Sequence, residues 1–163
     1  MVEAIALWLH GTPGGKFLLT LLISMIPVLE LRGGVPAGVA MGLPIPLAFL
    51  AGLVGNMIPV PFIILFARQI LRWLYKNIPA LANLTRKIET RAAAKSKQAA
   101  KYKTWGLLLL VAIPLPGTGA WTGALVAALT DLRLKRAVPV IFLGVLIAGI
   151  IITSLTYGVS ALI

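Results

Sequence analysis

The 163-residue chain has no cysteine, which excludes disulfides and thiolate metal sites. Its single histidine, His10, has no Asp, Glu or second His clustered about it, so no metal site is expected and His10 reads as a membrane-interface residue. Acidic residues number four and charged residues make up only 12% of the chain, too few for the polar shell of a soluble domain of this length. Asp, Glu, Lys and Arg are absent altogether from 33–67, 104–130 and 137–163. Each of these stretches exceeds the roughly 20 apolar residues that cross a bilayer core of about 30 Å. With 60% hydrophobic residues and a mean hydropathy of +1.00, the chain reads as an integral membrane protein. It carries no Walker loop, nucleophile elbow or zinc-ligand spacing, so no enzyme and no cofactor is expected. The opening residues, with Glu3 and no basic cluster before a small-residue cleavage site, do not read as a cleavable signal peptide.

What charge there is lies mostly in one segment. Ten of the basic residues fall between Arg68 and Lys103 against one acid, Glu89, a net +9 out of the chain's +11. A basic run between two apolar segments follows from the positive-inside bias of membrane proteins, so a nucleic-acid partner is not expected and 68–103 is placed in the cytoplasm of a multi-pass inner or plasma membrane protein. Residues 80–103, rich in Ala and Lys and free of Gly and Pro, favour a connector helix lying near anionic headgroups. Trp73 and Tyr75 before it, and Tyr102 and Trp105 after it, read as interface anchors. The organisation is one membrane domain: a first repeat over 1–76, the cytoplasmic connector over 77–102, and a second repeat over 103–163.

The repeat is visible when "KFLLTLLISMIPVLELRGGVPAGVAMG" (16–42) is set over "KTWGLLLLVAIPLPGTGAWTGALVAAL" (103–129). Lys16 falls on Lys103 and Pro27 on Pro114, and Glu30–Pro36 falls on Gly117–Gly123. Each stretch is followed by a short turn, "LPIP" or "TDLRLKR", and then a long apolar segment, 45–67 or 137–162. Charge chooses between two topologies. If 104–130 crosses the membrane, the basic loop 131–136 is delivered to the outside, against the positive-inside rule. If 104–130 enters and leaves on one side, that loop stays with the connector. The expected fold is therefore all-α and membrane-integral: an inverted repeat of two units, each a re-entrant helical hairpin followed by a transmembrane helix. Pro27, Gly33, Gly34 and Pro36 in the first unit, and Pro114, Pro116, Gly117 and Gly119 in the second, supply the breaks. A Pro-kinked spanning helix is the other reading of each segment.

The candidate site is the pair of breaks. An Arg or a Glu at the membrane centre costs at least about 2.5–3.5 kcal/mol on insertion scales, yet Glu30 and Arg32 stand alone between Phe17 and Ala67. Residues 17–29 form about 20 Å of helix, too short to span. Pro36 suits the first turn of a half-helix whose N–H groups point at the tip. "PGTGAWTG" in the second unit offers Pro116, Gly117, Gly119, the hydroxyls of Thr118 and Thr122, and the indole N–H of Trp121. Two such tips, with Gly33 and Gly34 beside Arg32, suit an anion and above all a phosphate, which takes forked hydrogen bonds from Arg. Glu30 either pairs with Arg32 and carries a proton, or serves to orient the Arg. Asn56, in "GLVGNMIPVP", is either a helix–helix hydrogen bond or a further site group.

"IPVLELRGGVP" followed by "IPLPGTGAWTG" resembles the bacterial and archaeal family of small multidrug export proteins, over nearly the whole chain. That family is similar in plan to the DedA-like membrane proteins, which are built of inverted repeats with re-entrant hairpins. The family's name implies drug efflux. The DedA likeness implies translocation of lipid phosphates such as polyprenyl phosphate or phospholipid, with the acid and arginine of its hairpins falling on Glu30 and Arg32. This chain departs from some DedA-like proteins in having no second Arg in the "PGTGAW" tip.

Three functions follow as expectations. The first is a transporter that translocates an anionic lipid or lipid phosphate between the tips, with Glu30 coupling it to protons. The second is a proton-coupled exporter of cationic compounds, against which the fixed charge of Arg32 argues. The third is a non-transport scaffold whose connector binds lipid or a partner. Membrane lipids and the substrate are the expected partners, and the small number of elements predicts a homodimer.

Overall fold

The computed structural model describes residues 8–77, 96–115 and 117–158. Among the described residues the secondary structure is entirely helical: α1 (Pro13–Met25), α2 (Glu30–Ala40), α3 (Ile45–Met57), α4 (Pro59–Asn77), α5 (Ser96–Ala112), α6 (Ala120–Leu129) and α7 (Leu134–Thr153), which ends in a π-helical turn, Ser154–Gly158. Most of the expected connector helix, and Pro116, lie outside the described residues.

Local chemistry sets the boundaries. Thr12 caps α1, its Oγ1 accepting from Gly15 N–H at 3.1 Å, with Pro13 in the first turn where no donor is needed. α1 stops where Pro27 approaches. α2 and α6 both end in the same turn. In the first, the N–H of Leu43 bonds Gly38 C=O and that of Gly42 bonds Val39 C=O, with Gly42 at φ +88°. In the second, Leu132 bonds Ala127 and Asp131 bonds Ala128, with Asp131 at φ +52°. This is the paired 6→1 and 5→2 closure of a helix C-terminus, and the buried Leu43 and Leu132 supply its apolar contact.

Among the described residues, two helices are long and apolar enough to cross a membrane: α3 with the first part of α4, Ile45–Ile70, and α7 with its terminal turn, Leu134–Gly158. The first is not one smooth helix as expected; it bends at Ile58, just before Pro59. The two run in opposite directions. Arg68, near the end of the first, donates from Nη2 to Leu132 C=O just before the second begins, while a Cβ on Gly149 of the second would collide with Phe49 of the first.

The other segments fold back on themselves. α2 lies antiparallel on α1, with Gly34 against Ser24 and Gly38 against Thr20, where no side chain fits. The hydroxyls of Thr20 and Ser24 are spent on carbonyls one turn back, so they pack as small residues. α6 lies antiparallel on α5, with Gly123 against Val111. The feet of each pair meet: Gly42 lies beside Lys16 Nζ, and Lys103 Nζ donates to Thr130 C=O at 3.4 Å. α6 also packs along α4, which ties the second hairpin to the first spanning helix. Between these elements sits a core of Leu31, Val35, Ile64, Leu107, Val111 and Ile141 with small alanines, all buried.

One sequence expectation is corrected here. The first break was expected over Glu30–Pro36, with Pro36 opening the return helix. The break is instead Ile26–Leu29, and α2 already begins at Glu30, so Gly33, Gly34 and Pro36 are inside it. Gly34, which read as a breaker, is there because α1 leaves no room for a side chain, while a Cβ on Gly33 would crowd Leu29 one turn back. In the second unit the break falls as expected: α5 ends at Ala112 and α6 starts directly after Gly119.

Candidate functional site

The two breaks meet. Glu30 opens α2 with a φ of +49°, a conformation that costs a non-glycine residue of order 1–3 kcal/mol and persists only where its surroundings hold it. Its side chain is buried and reaches across to the second unit, where Oε1 accepts from the backbone N–H of Trp121 at 3.2 Å. α6 has Gly119 at its N-cap, with no side chain to bond its free N–H groups. A carboxylate from the other half of the chain does that work, and it does so at the positive end of the helix dipole. Gly119 makes the approach possible twice over. Its φ of +145° is open to glycine, and a Cβ there would collide with the Glu30 carboxylate.

Arg32, in the first turn of α2, also crosses to the second tip. Nη1 donates to Leu115 C=O at 2.5 Å and Nη2 to Thr118 Oγ1 at 3.2 Å. Thr118 is the hub of that tip: its hydroxyl also reaches Ile113 C=O at 2.9 Å and Leu115 C=O at 2.8 Å, and accepts from Leu115 N–H at 3.2 Å. The carbonyls freed where α5 stops are thereby satisfied by a guanidinium and a hydroxyl. Glu30 and Arg32 do not form the ion pair that their spacing suggested. Successive helical positions two apart point away from each other, and each finds its partner across the junction. Arg32 has five N–H donors, of which these bonds engage two.

A small pocket of about 10 Å³, room for about one water molecule, lies at the junction, lined by Glu30, Arg32, Asn56 and Gly119 with apolar walls that include Val111 and Val145. Asn56 is 2% exposed and its Oδ1 has no hydrogen-bond partner. The indole Nε1–H of Trp121 is also buried without a partner. Thr122 is turned inward on its own tip, its hydroxyl donating to Gly117 C=O at 2.8 Å.

Of the residues singled out from sequence, the junction brings together Glu30, Arg32, Asn56, Thr118, Gly119 and Trp121. Gly33, Gly34 and Pro36 are packing residues of α2, Thr122 and Gly117 bond each other, and Pro116 lies outside the described residues. Leu115 was not singled out, because a main-chain carbonyl leaves no trace in residue type. Also missed was the anchor at the hairpin foot, where Arg68 donates to Leu132 C=O and its Nε stands 3.8 Å from Asp131 Oδ1. The signal available was that Asp131 is the only acid after Glu89.

The described residues are helical, two of their helices are apolar and of membrane length, and a buried Glu and a part-buried Arg join two broken segments; this defines a small membrane protein with an internal polar junction. The chain belongs to the family of small multi-drug export proteins, whose profile matches residues 30–151. No curated protein and no solved structure matches it.

Proposed function

We propose that the protein is a small DedA-like translocase in which the headgroup of an anionic lipid or lipid phosphate passes between the two tips, with Glu30 carrying a proton. The observation that carries this reading is the junction itself: a carboxyl, a guanidinium and the N-terminus of α6 converge where two broken helices meet. Discontinuous helices that aim N–H groups at a shared point are the usual construction of a transporter's binding site.

Two arguments support re-entrant hairpins in an inverted repeat. The feet of each hairpin lie together, Lys16 by Gly42 and Lys103 by Thr130, so each segment begins and ends at one level. The long apolar helices run oppositely, the closing turns at Gly42 and Asp131 are alike, and Glu30 of one tip touches Gly119 of the other, the two holding the same place when each unit is counted back from its closing turn rather than aligned on Pro27 and Pro114. Two residues at matching positions touch when they lie on the axis relating the repeats. The basic feet (Arg68, Lys103, Arg133, Lys135 and Arg136) then share the cytoplasmic side, as positive-inside bias requires.

The pocket holds about one water, so this conformation is a closed one. A headgroup enters when the tips part, Arg32 exchanging Leu115 C=O and Thr118 for phosphate oxygens. The test is flipping of a fluorescent lipid phosphate in proteoliposomes, wild type against Arg32→Ala. Loss of flipping in the variant is expected; equal rates remove Arg32 from the mechanism.

The family's description favours a second reading, proton-coupled export of cationic compounds through the same junction. Growth under drug challenge separates the two: Glu30→Gln abolishes resistance under this second reading and leaves it unchanged under the first.

A further inference from the structure

We propose that Asn56 is the hydrogen-bond acceptor for the protonated carboxyl of Glu30, a positioning residue that ties tip 1 to the first spanning helix whenever the site carries its proton. This rests on the reading of Glu30 as the proton carrier.

Asn56 sits at the end of α3, almost fully buried, where a polar side chain is retained at a cost unless it is bonded. Its Oδ1 has no donor, although it lines the same water-sized pocket as Glu30. Leu31, Val111, Ala120, Val145 and Ala148 close the rest of that pocket with apolar side chains, and the bonds shown for Arg32 run to the second tip. With Glu30 ionised, two acceptors therefore share one small apolar-walled space. A single proton on the carboxyl removes the conflict, because the neutral group gains an O–H donor while its C=O goes on accepting from Trp121 N–H.

Among the described residues, Arg32 is the only other charged group lining the pocket. The faces turned to it from α3, α5, α6 and α7 carry Asn56, Val111, Gly119 with Ala120, and Val145 with Ala148. On α1, Lys16 is at the far foot beside Gly42. No second acid among the described residues lines the pocket. Ionised, Glu30 bonds the α6 N-terminus; protonated, it also bonds α3. Loading the site with a proton thus adds a bond between the first tip and its own spanning helix, which favours motion of the two as one body.

The experiment is infrared difference spectroscopy of the full-length protein in lipid vesicles across a pH titration, in H₂O and D₂O, with ¹³C in the asparagine side-chain carbonyl. The chain has three asparagines, Asn56, Asn77 and Asn83. The expected result is a protonated-carboxyl C=O band that is lost in Glu30→Gln, accompanied in the wild type by a shift of one labelled asparagine carbonyl. In Asn56→Leu the carboxyl band moves to higher frequency and the asparagine response is lost. An asparagine carbonyl unmoved while the carboxyl band titrates overturns the inference, as does a carboxyl band of unchanged frequency in Asn56→Leu. So does a response confined to the amide N–H, which means the amide is turned over and donates to the carboxylate. Where Asn56→Leu does not fold, the labelled wild type decides. Absence of any Glu30 carboxyl band overturns proton carriage by Glu30 and this inference with it. Lipid flipping measured on the same vesicles shows separately whether translocation stands.

Discussion

The Glu30 carboxylate of one half of the chain accepts from the Trp121 N–H of the other, 3.2 Å away, and so caps a helix whose own N-cap is a glycine. The bond joins residues 91 apart in sequence, and it explains both oddities of the pair. Glu30 tolerates a left-handed backbone because its side chain is held on α6, and Gly119 has no side chain because the carboxylate occupies its place.

Gly119→Ala therefore meets a backbone and a steric objection at once. We expect a loss of about 2–3 kcal/mol, toward the upper end of ordinary single substitutions, read by denaturant or thermal unfolding in detergent. In the Glu30→Ala background the same change is expected to cost less, since the collision is gone and only the backbone term remains. Equal costs in both backgrounds would mean that the two residues do not touch.

Thr118→Val keeps the shape of the residue and removes the hub of the second tip. It withdraws an acceptor from Arg32 and a donor from the carbonyls of Ile113 and Leu115. A hydrogen bond to a charged group contributes about 1.5–3 kcal/mol, so a destabilisation of that order is expected. Arg32→Lys is expected to behave similarly, because one ammonium does not reproduce a fork that spans Leu115 C=O and Thr118.

At the foot of the second hairpin, Arg68→Ala is expected to destabilise the protein more than Asp131→Ala. Arg68 is 17% exposed and bonds the Leu132 carbonyl, while the Asp131 side chain is 84% exposed and stands 3.8 Å away, outside hydrogen-bond reach. Exposed pairs of this kind are worth at most about 1 kcal/mol. Unfolding midpoints of the two variants in one detergent provide the comparison.

The chain has no native cysteine, so single cysteines report sidedness directly. Pro44→Cys lies at an exposed position in the loop after the first hairpin, and Lys135→Cys at an exposed position in the first turn of α7, just after the second. With a membrane-impermeant maleimide, position 44 is expected to label from outside and position 135 from the cytoplasm. Labelling of both from one side would make one of the hairpins a full crossing and overturn the inverted repeat.

Much of this was legible before folding. Pro27 and Pro114 mark the ends of α1 and α5, and the "GTG" of the second tip marks the start of α6, because Pro and Gly act on the backbone of their own neighbourhood. Gly33 and Gly34 misled for the complementary reason. Their absent side chains answer to Ser24 and Leu29 rather than to the local dihedral angles, and a sequence does not show which residue stands opposite. Asn56 was left between two roles, and its lone Oδ1 beside Glu30 argues for the junction.

What the sequence determined by itself was the solvent and the segmentation. Long uncharged stretches leave a chain no alternative to lipid, and Pro27 and Pro114 interrupt its helices, since these effects depend on composition and near neighbours alone. Tertiary structure decided the pairing. Glu30 and Arg32 stand two residues apart and turn away from each other, and only the antiparallel folding of both hairpins brings Trp121, Leu115 and Thr118 within their reach. Hydrogen bonds act over about 3 Å, so which charge meets which helix end is settled by where the backbone arrives.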